Sequence, residues 1–224
     1  MSETHNYLHI PKTGGTAIKY AIDDNPNHSP KVVIPSHGHS QHLRTMNKNT
    51  VFMIRHPLER FCSGFWERKT VDIRKKKSET EFKDLKNFGY KPLGSLEKTI
   101  LEQCATPDQF LDYLREGGKT EGTSTALFEL TAPFTNWTGK MEEFQKHEDK
   151  IAMVFHINNL THVMKSVYNL DMPKDPFRQR SRKLFDMDQP YNVTGKNRLW
   201  FENEYRKEEY ELIAYIKTRP YYLS

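Results

Sequence analysis

The segment Tyr7-Leu8-His9-Ile10-Pro11-Lys12-Thr13-Gly14-Gly15-Thr16-Ala17 constrains the fold more than any other part of the chain. A short apolar run leads into a loop with one lysine, two glycines and two threonines, and helix formers follow. Such a loop joins a strand to a helix. Its glycines let the backbone turn sharply and come close to an anion. The helix behind it points its first N–H groups and its positive dipole end at the same spot. Lys12 adds a full charge. In the common NTPase loop, GxxxxGK[ST], the lysine follows the glycines; here it precedes them. The pattern therefore reads as a cradle for a phosphate or phosphosulfate in a different chemistry. An ordinary glycine turn is the competing reading.

Apolar periodicity beyond this loop alternates between strand and helix. Asn6 to Ile10 reads as a strand and Thr16 to Asp23 as the helix after it. Lys31-Val32-Val33-Ile34 and Thr50-Val51-Phe52-Met53-Ile54 read as further strands. Pro57 stands where the first turn of a helix belongs. That helix carries Leu58, Phe61, Cys62 and Phe65 on one stripe and Glu59, Arg60, Ser63 and Glu67 on the other face. Arg68 to Gly94 is polar and weakly periodic and reads as an insertion or mobile region. Ser95 to Cys104 is helical in pattern. Thr106-Pro107-Asp108-Gln109 is a capping box for a helix that buries Phe110, Leu111 and Leu114 and ends at Gly117-Gly118. Gly122 to Lys140 reads mostly as loop. Ile151 to Phe155 is a strand, and Leu160, Val163, Met164 and Val167 mark a helix. Asp171 to Thr194 is a long basic loop, and Asn197 to about Thr218 a closing helix. Alternation of this kind predicts one α/β domain over 1–224, with a mainly parallel central sheet flanked by helices. Within it, 68–150 reads as a variable insertion. Ligands of such sheets bind beyond the carboxyl ends of the strands.

A length of 224 residues suffices for a real core, and 12% aromatic residues supply it despite a low 36% hydrophobic content. No apolar run is long enough to span a membrane, and the N-terminus lacks the basic and apolar regions of a signal peptide. Those features predict a cytoplasmic protein, or a trimmed form of a membrane-anchored one. The N-x-[ST] triplets at Asn27, Asn136, Asn159 and Asn192 then read as chance matches. With only Cys62 and Cys104, a disulfide framework is not expected. A net charge of +5 and a pI near 9.0 suggest an anionic partner. The run Arg74-Lys75-Lys76-Lys77 reads as solvated surface.

A second segment carries chemistry: Arg55-His56-Pro57-Leu58-Glu59-Arg60-Phe61-Cys62-Ser63-Gly64-Phe65. Arg55 leaves the end of a strand, and Ser63 lies two turns into the next helix. A planar guanidinium and a small hydroxyl can grip a second phosphate from two sides. Taken singly, each is also an ordinary surface residue. Together the two segments resemble the sulfotransferases that use 3'-phosphoadenosine 5'-phosphosulfate (PAPS). In that family a PKTGGT-like loop holds the 5'-phosphosulfate, and an R-x-P-x-x-R-x-x-S-like segment holds the 3'-phosphate. The resemblance implies that Lys12, Thr13, Gly14, Gly15, Thr16 and Ala17 bind the first group, and Arg55 and Ser63 the second. The second segment is close to the carbohydrate branch that includes heparan sulfate 2-O-sulfotransferase.

Ser36-His37-Gly38-His39 follows the second strand and so belongs to the same sheet edge. The 2-O branch has a similar H-G-H whose histidine acts as the base. A sugar hydroxyl needs its proton removed, and histidine suits that work near neutral pH. His39 is the expected base, with His37 supporting or sharing the role. Two solvated histidines, or a metal site with His42, are the alternatives; no metal is expected, because acidic and cysteine ligands are lacking nearby. Arg182 and Lys183 lie in a basic run ahead of Trp200-Phe201-Glu202-Asn203-Glu204, which again resembles the 2-O branch. They are candidates for nucleotide or acceptor contacts.

The resemblance implies in-line transfer of a sulfuryl group from PAPS to a hydroxyl, leaving the bisphosphate PAP. The acceptor would be a carbohydrate or another hydroxyl-bearing molecule, an anionic one included, and not nucleic acid. Lys12 would be catalytic, stabilising charge on the departing phosphate oxygen. A small nucleotide kinase and a non-catalytic polyanion-binding module are the rival readings. The kinase would need a magnesium-binding acidic residue at a strand end. The module rests on charge alone.

Overall fold

The structure is a computed structural model that describes residues 4–34, 41–70, 93–118, 126–172 and 191–224. The described residues fall into two compact units: Met1–Pro57, Pro133–Asp188 and Arg206–Ser224 make the first, and Leu58–Ala132 with Gln189–Tyr205 the second.

The first unit is α/β. Strands β1 (Thr4–Tyr7), β2 (Lys31–Val33), β3 (Thr50–Ile54), β4 (Ile151–His156) and β5 (Tyr222–Leu223) form a sheet in the order β2-β1-β3-β4-β5. Every pairing between them is parallel. Central strands of a parallel sheet are buried on both faces and read as continuous apolar runs. In β3, Val51, Phe52, Met53 and Ile54 are accordingly all fully buried. Helix α1 (Gly15–Asp24) connects β1 to β2, and the chain then crosses back over β1 to reach β3.

Strand alternation sends successive side chains to opposite faces. Tyr7, Val51, Met53 and Phe155 meet Ile18 and Ala21 of α1 in one cluster. On the opposite face, the Phe52 ring lies 5.9 Å from that of Phe134.

β1 begins at Thr4 and ends at Tyr7, earlier than the sequence pattern suggests, because Leu8 to Gly14 peel away as a loop. The largest difference lies in 122–140, read as loop. Helices occupy Ala126–Thr131 and Thr135–Thr138 there. They are too short to show a 3.6-residue period, yet Leu127, Leu130, Phe134 and Trp137 are buried. The expected closing helix is broken into Gly195–Trp200, a π-helical turn Phe201–Tyr205 and Lys207–Lys217, and β5 follows. A two-residue strand carries no pattern of its own. Of Arg68 to Gly94, expected as an insertion or mobile region, residues 71 to 92 lie outside the described residues.

The second unit is helical. Helix α2 (Pro57–Lys69) starts at the proline, as its sequence implies. Helices α3 (Ser95–Gln103), α4 (Pro107–Arg115) and α5 (Ala126–Thr131) belong with it. At the start of α4, Thr106 Oγ1 accepts from the Gln109 N–H at 3.2 Å. Its end has Gly117 at φ +84°, and Gly118 N–H donates to Tyr113 O at 2.9 Å. Phe61, Phe65, Phe110 and Phe201 form an aromatic core, with ring centroids 5.2 to 5.6 Å apart in successive pairs. The Gly64 backbone touches α5: a Cβ there would lie 2.5 Å from the Leu130 carbonyl oxygen.

Arg60 departs from expectation. The helical pattern places it on the polar face of α2, yet it is 1% exposed. Its guanidinium donates to the Ala132 carbonyl just past α5, where a cation meets the negative end of the helix. Cys62 and Cys104 are buried and form no disulfide. Among the described residues, no helix is long and apolar enough to cross a membrane.

Candidate functional site

In the order 2-1-3-4-5 the chain winds in opposite directions from β1 and from β3. In open parallel sheets ligands bind at such a reversal, beyond the carboxyl ends of the two strands. The loop Leu8 to Gly14 leaves the end of β1, and Arg55 leaves the end of β3. The sheet therefore brings the Lys12 loop and Arg55 to one edge, although they are far apart in the chain.

Loop geometry follows from its residues. Leu8 N–H still donates to Val51 O at 2.9 Å, extending the pairing with β3. Thr13 is fully buried, and its hydroxyl donates to Ile10 O at 2.8 Å. That bond closes the turn, so the Thr13 hydroxyl serves the loop itself. Beneath it, burial pushes the Tyr7 phenol well above its ordinary pKa, while the Thr13 side chain works in the other direction. Lys12 has φ +64° and Gly14 φ +97°. Glycine tolerates the left-handed region at no steric cost. For lysine the same conformation is uncommon and costs about 1–2 kcal/mol.

α1 starts from Gly14 with no side-chain cap and no acidic residue in its first turn. Ala17 N–H is bonded to the Gly14 carbonyl at 3.0 Å. The N–H groups of Gly15 and Thr16 precede the first intrahelical bond and form the donor end of the helix. Thr16 is exposed, Lys12 and Ala17 are half-buried, and Gly15 is buried.

Arg55 is 3% exposed, and its Nη1 donates to the Lys12 carbonyl at 3.2 Å. A charged donor on this carbonyl ties the end of β3 to the loop after β1. Ser63 is a half-buried residue of α2, in the second unit. It shares the less buried side of that helix with Glu59, Trp66 and Glu67.

His37, His39, Arg182 and Lys183 lie outside the described residues. His42 is described, and its Nδ1 lies 2.7 Å from the Asn136 carbonyl oxygen. Among the described residues, no three His, Cys, Asp or Glu side chains are grouped to hold a metal.

Three other histidines at this edge have no role in the sequence reading. His56, exposed, follows Arg55 and meets the Tyr210 ring edge-on at 5.5 Å. His156 ends β4 and accepts the Asn158 N–H at 3.2 Å. His9 lies in the loop with its ring against Gly15. Only their position just after an apolar strand could have singled them out.

The chain matches no protein family, no curated protein and no solved structure.

Proposed function

We propose that this protein is a sulfotransferase moving a sulfuryl group from PAPS to a hydroxyl of a carbohydrate acceptor. The observation that carries the reading is the Arg55–Lys12 bond, which joins the two resembling segments at one sheet edge. An uncapped helix start with no acidic residue also fits a bound phosphate.

Bound PAPS supplies an activated sulfuryl group whose leaving group is a phosphate. In this reading the loop is P-loop-like. The N–H groups at the start of α1 hold the 5'-phosphate, with Gly14 and Gly15 permitting the close approach. Lys12 stabilises charge on the leaving oxygen. Arg55 recognises the 3'-phosphate from the end of β3, and the resemblance adds Ser63 to that role. His39, with His37, takes the acceptor proton. Arg182 and Lys183 contribute cationic contacts to the nucleotide or to an anionic acceptor. Positioning and charge stabilisation supply most of the rate, as in phosphoryl transfer.

Incubation with sulfur-labelled PAPS and a panel of glycans, small alcohols and peptides tests the reading. Label transferred to a glycan supports it. Magnesium- and ATP-dependent phosphorylation without sulfuryl transfer would replace it with a kinase. Salt-sensitive binding to heparin or DNA, with no preference for PAPS, would leave a polyanion-binding module. Under the proposal His39→Ala abolishes transfer and keeps the nucleotide bound; if only His37→Ala does so, the base is His37.

A further inference from the structure

We propose that His9 is a positioning residue that sets where the donor N–H groups of α1 point; this rests on reading the loop as the donor site. Gly15, the first residue of α1, is buried. A Cβ at that position would lie 2.1 Å from His9 Cδ2, 2.3 Å from Nε2 and 2.9 Å from Cγ. The edge of the imidazole thus fills the space that a side chain at 15 would need. Behind the imidazole stands the fully buried Tyr7 ring of β1, with centroids 6.3 Å apart.

Gly14 is enclosed by other groups. A Cβ there would come within 3.1 Å of Met53 Cε and 3.4 Å of Leu160 Cδ2. The two glycines are therefore required for different reasons. Gly14 adopts a left-handed backbone beneath those side chains, whereas Gly15 makes room for a ring. Between them, the His9 ring and the side chains of Met53 and Leu160 locate the start of the helix. The N–H groups of Gly15 and Thr16 move with that backbone. A misplacement of about 1 Å in a positioning element can cost about 100-fold in rate. His9 acts through the backbone it supports.

The test uses the full chain as wild type, His9→Ala, Gly15→Ala and the double variant. Affinity for adenosine 3',5'-bisphosphate is measured by calorimetry, and melting temperature in parallel. His9→Ala and Gly15→Ala are each expected to weaken binding about tenfold. The double variant should recover at least about threefold over Gly15→Ala, because the new methyl enters the space the ring leaves. Equal affinity of His9→Ala and wild type, or coupling seen only in melting temperature, overturns the inference. If Gly15→Ala does not fold, His9→Phe decides: the ring should hold affinity within about threefold of wild type, and behaviour like His9→Ala overturns the inference. Wild type that fails to bind the bisphosphate sinks the donor-site reading itself, an outcome distinct from the others.

Discussion

Lys12 and Arg68 are basic residues on different kinds of backbone and in different units. Arg68 belongs to the second unit and is 4% exposed, with Nε and Nη2 on the Glu97 carboxylate at 2.5 and 2.9 Å. Lys12 belongs to the first unit, half-buried, on a left-handed backbone that suits glycine better. At Arg68 the charge is matched in place, as a buried ion must be. At Lys12 a half-buried cationic side chain sits on a strained backbone. Matched charge maintains structure at Arg68, whereas under the proposed function the strain at Lys12 is the cost of placing its side chain at the donor site. Under the proposed function Arg68 serves stability and Lys12 serves chemistry, and substitutions can break or sharpen that contrast.

The largest expected effect is at Glu97. Glu97→Gln leaves Arg68 buried without its counter-charge and should cost about 3–5 kcal/mol in urea unfolding. Bisphosphate affinity of the folded fraction should not change. A cost under about 1 kcal/mol would put the pair in the class of surface bridges and break the contrast.

Next comes Lys12→Gly, expected to lower turnover by roughly 100-fold or more, the scale of one lost transition-state donor. Stability should hold or rise by up to about 1 kcal/mol, since glycine relieves the positive φ. Near-normal turnover would remove Lys12 from catalysis and leave its strain without a purpose.

Gly64→Ala sharpens the structural half of the comparison. Its methyl would meet the Leu130 carbonyl, and a cost of about 1–3 kcal/mol is expected from overpacking. Unchanged unfolding would mean that α2 and α5 give way easily. The smallest effect is at Thr106, whose side chain caps α4. Thr106→Ala should cost about 1 kcal/mol, with nucleotide binding unaffected. A change in binding there would contradict a purely structural second-unit helix end.

Local elements were readable wherever a short-range signal exists. The apolar run Thr50–Ile54 is β3, Pro57 opens α2, and Thr106 with Gln109 opens α4. The short helices in 126–138 and the two-residue β5 were not, because their residues are held by distant partners and not by period. Arg60 is the clearest case: its polarity places it on the surface, and a carbonyl 72 residues away draws it into the interior.

The sequence by itself determined that strand, glycine loop and helix follow one another, read over residues 6 to 23. It also determined that a basic residue ends the third strand. Those are consequences of propensity, apolar pattern and glycine's conformational range, which act over a few residues. Tertiary structure alone decided that β1 lies between β2 and β3, so that Arg55 reaches the Lys12 carbonyl. It alone decided that the His9 ring occupies the missing side chain of Gly15. Strand order and ring placement depend on how the sheet assembles and what packs against it, and short-range pattern holds no record of either.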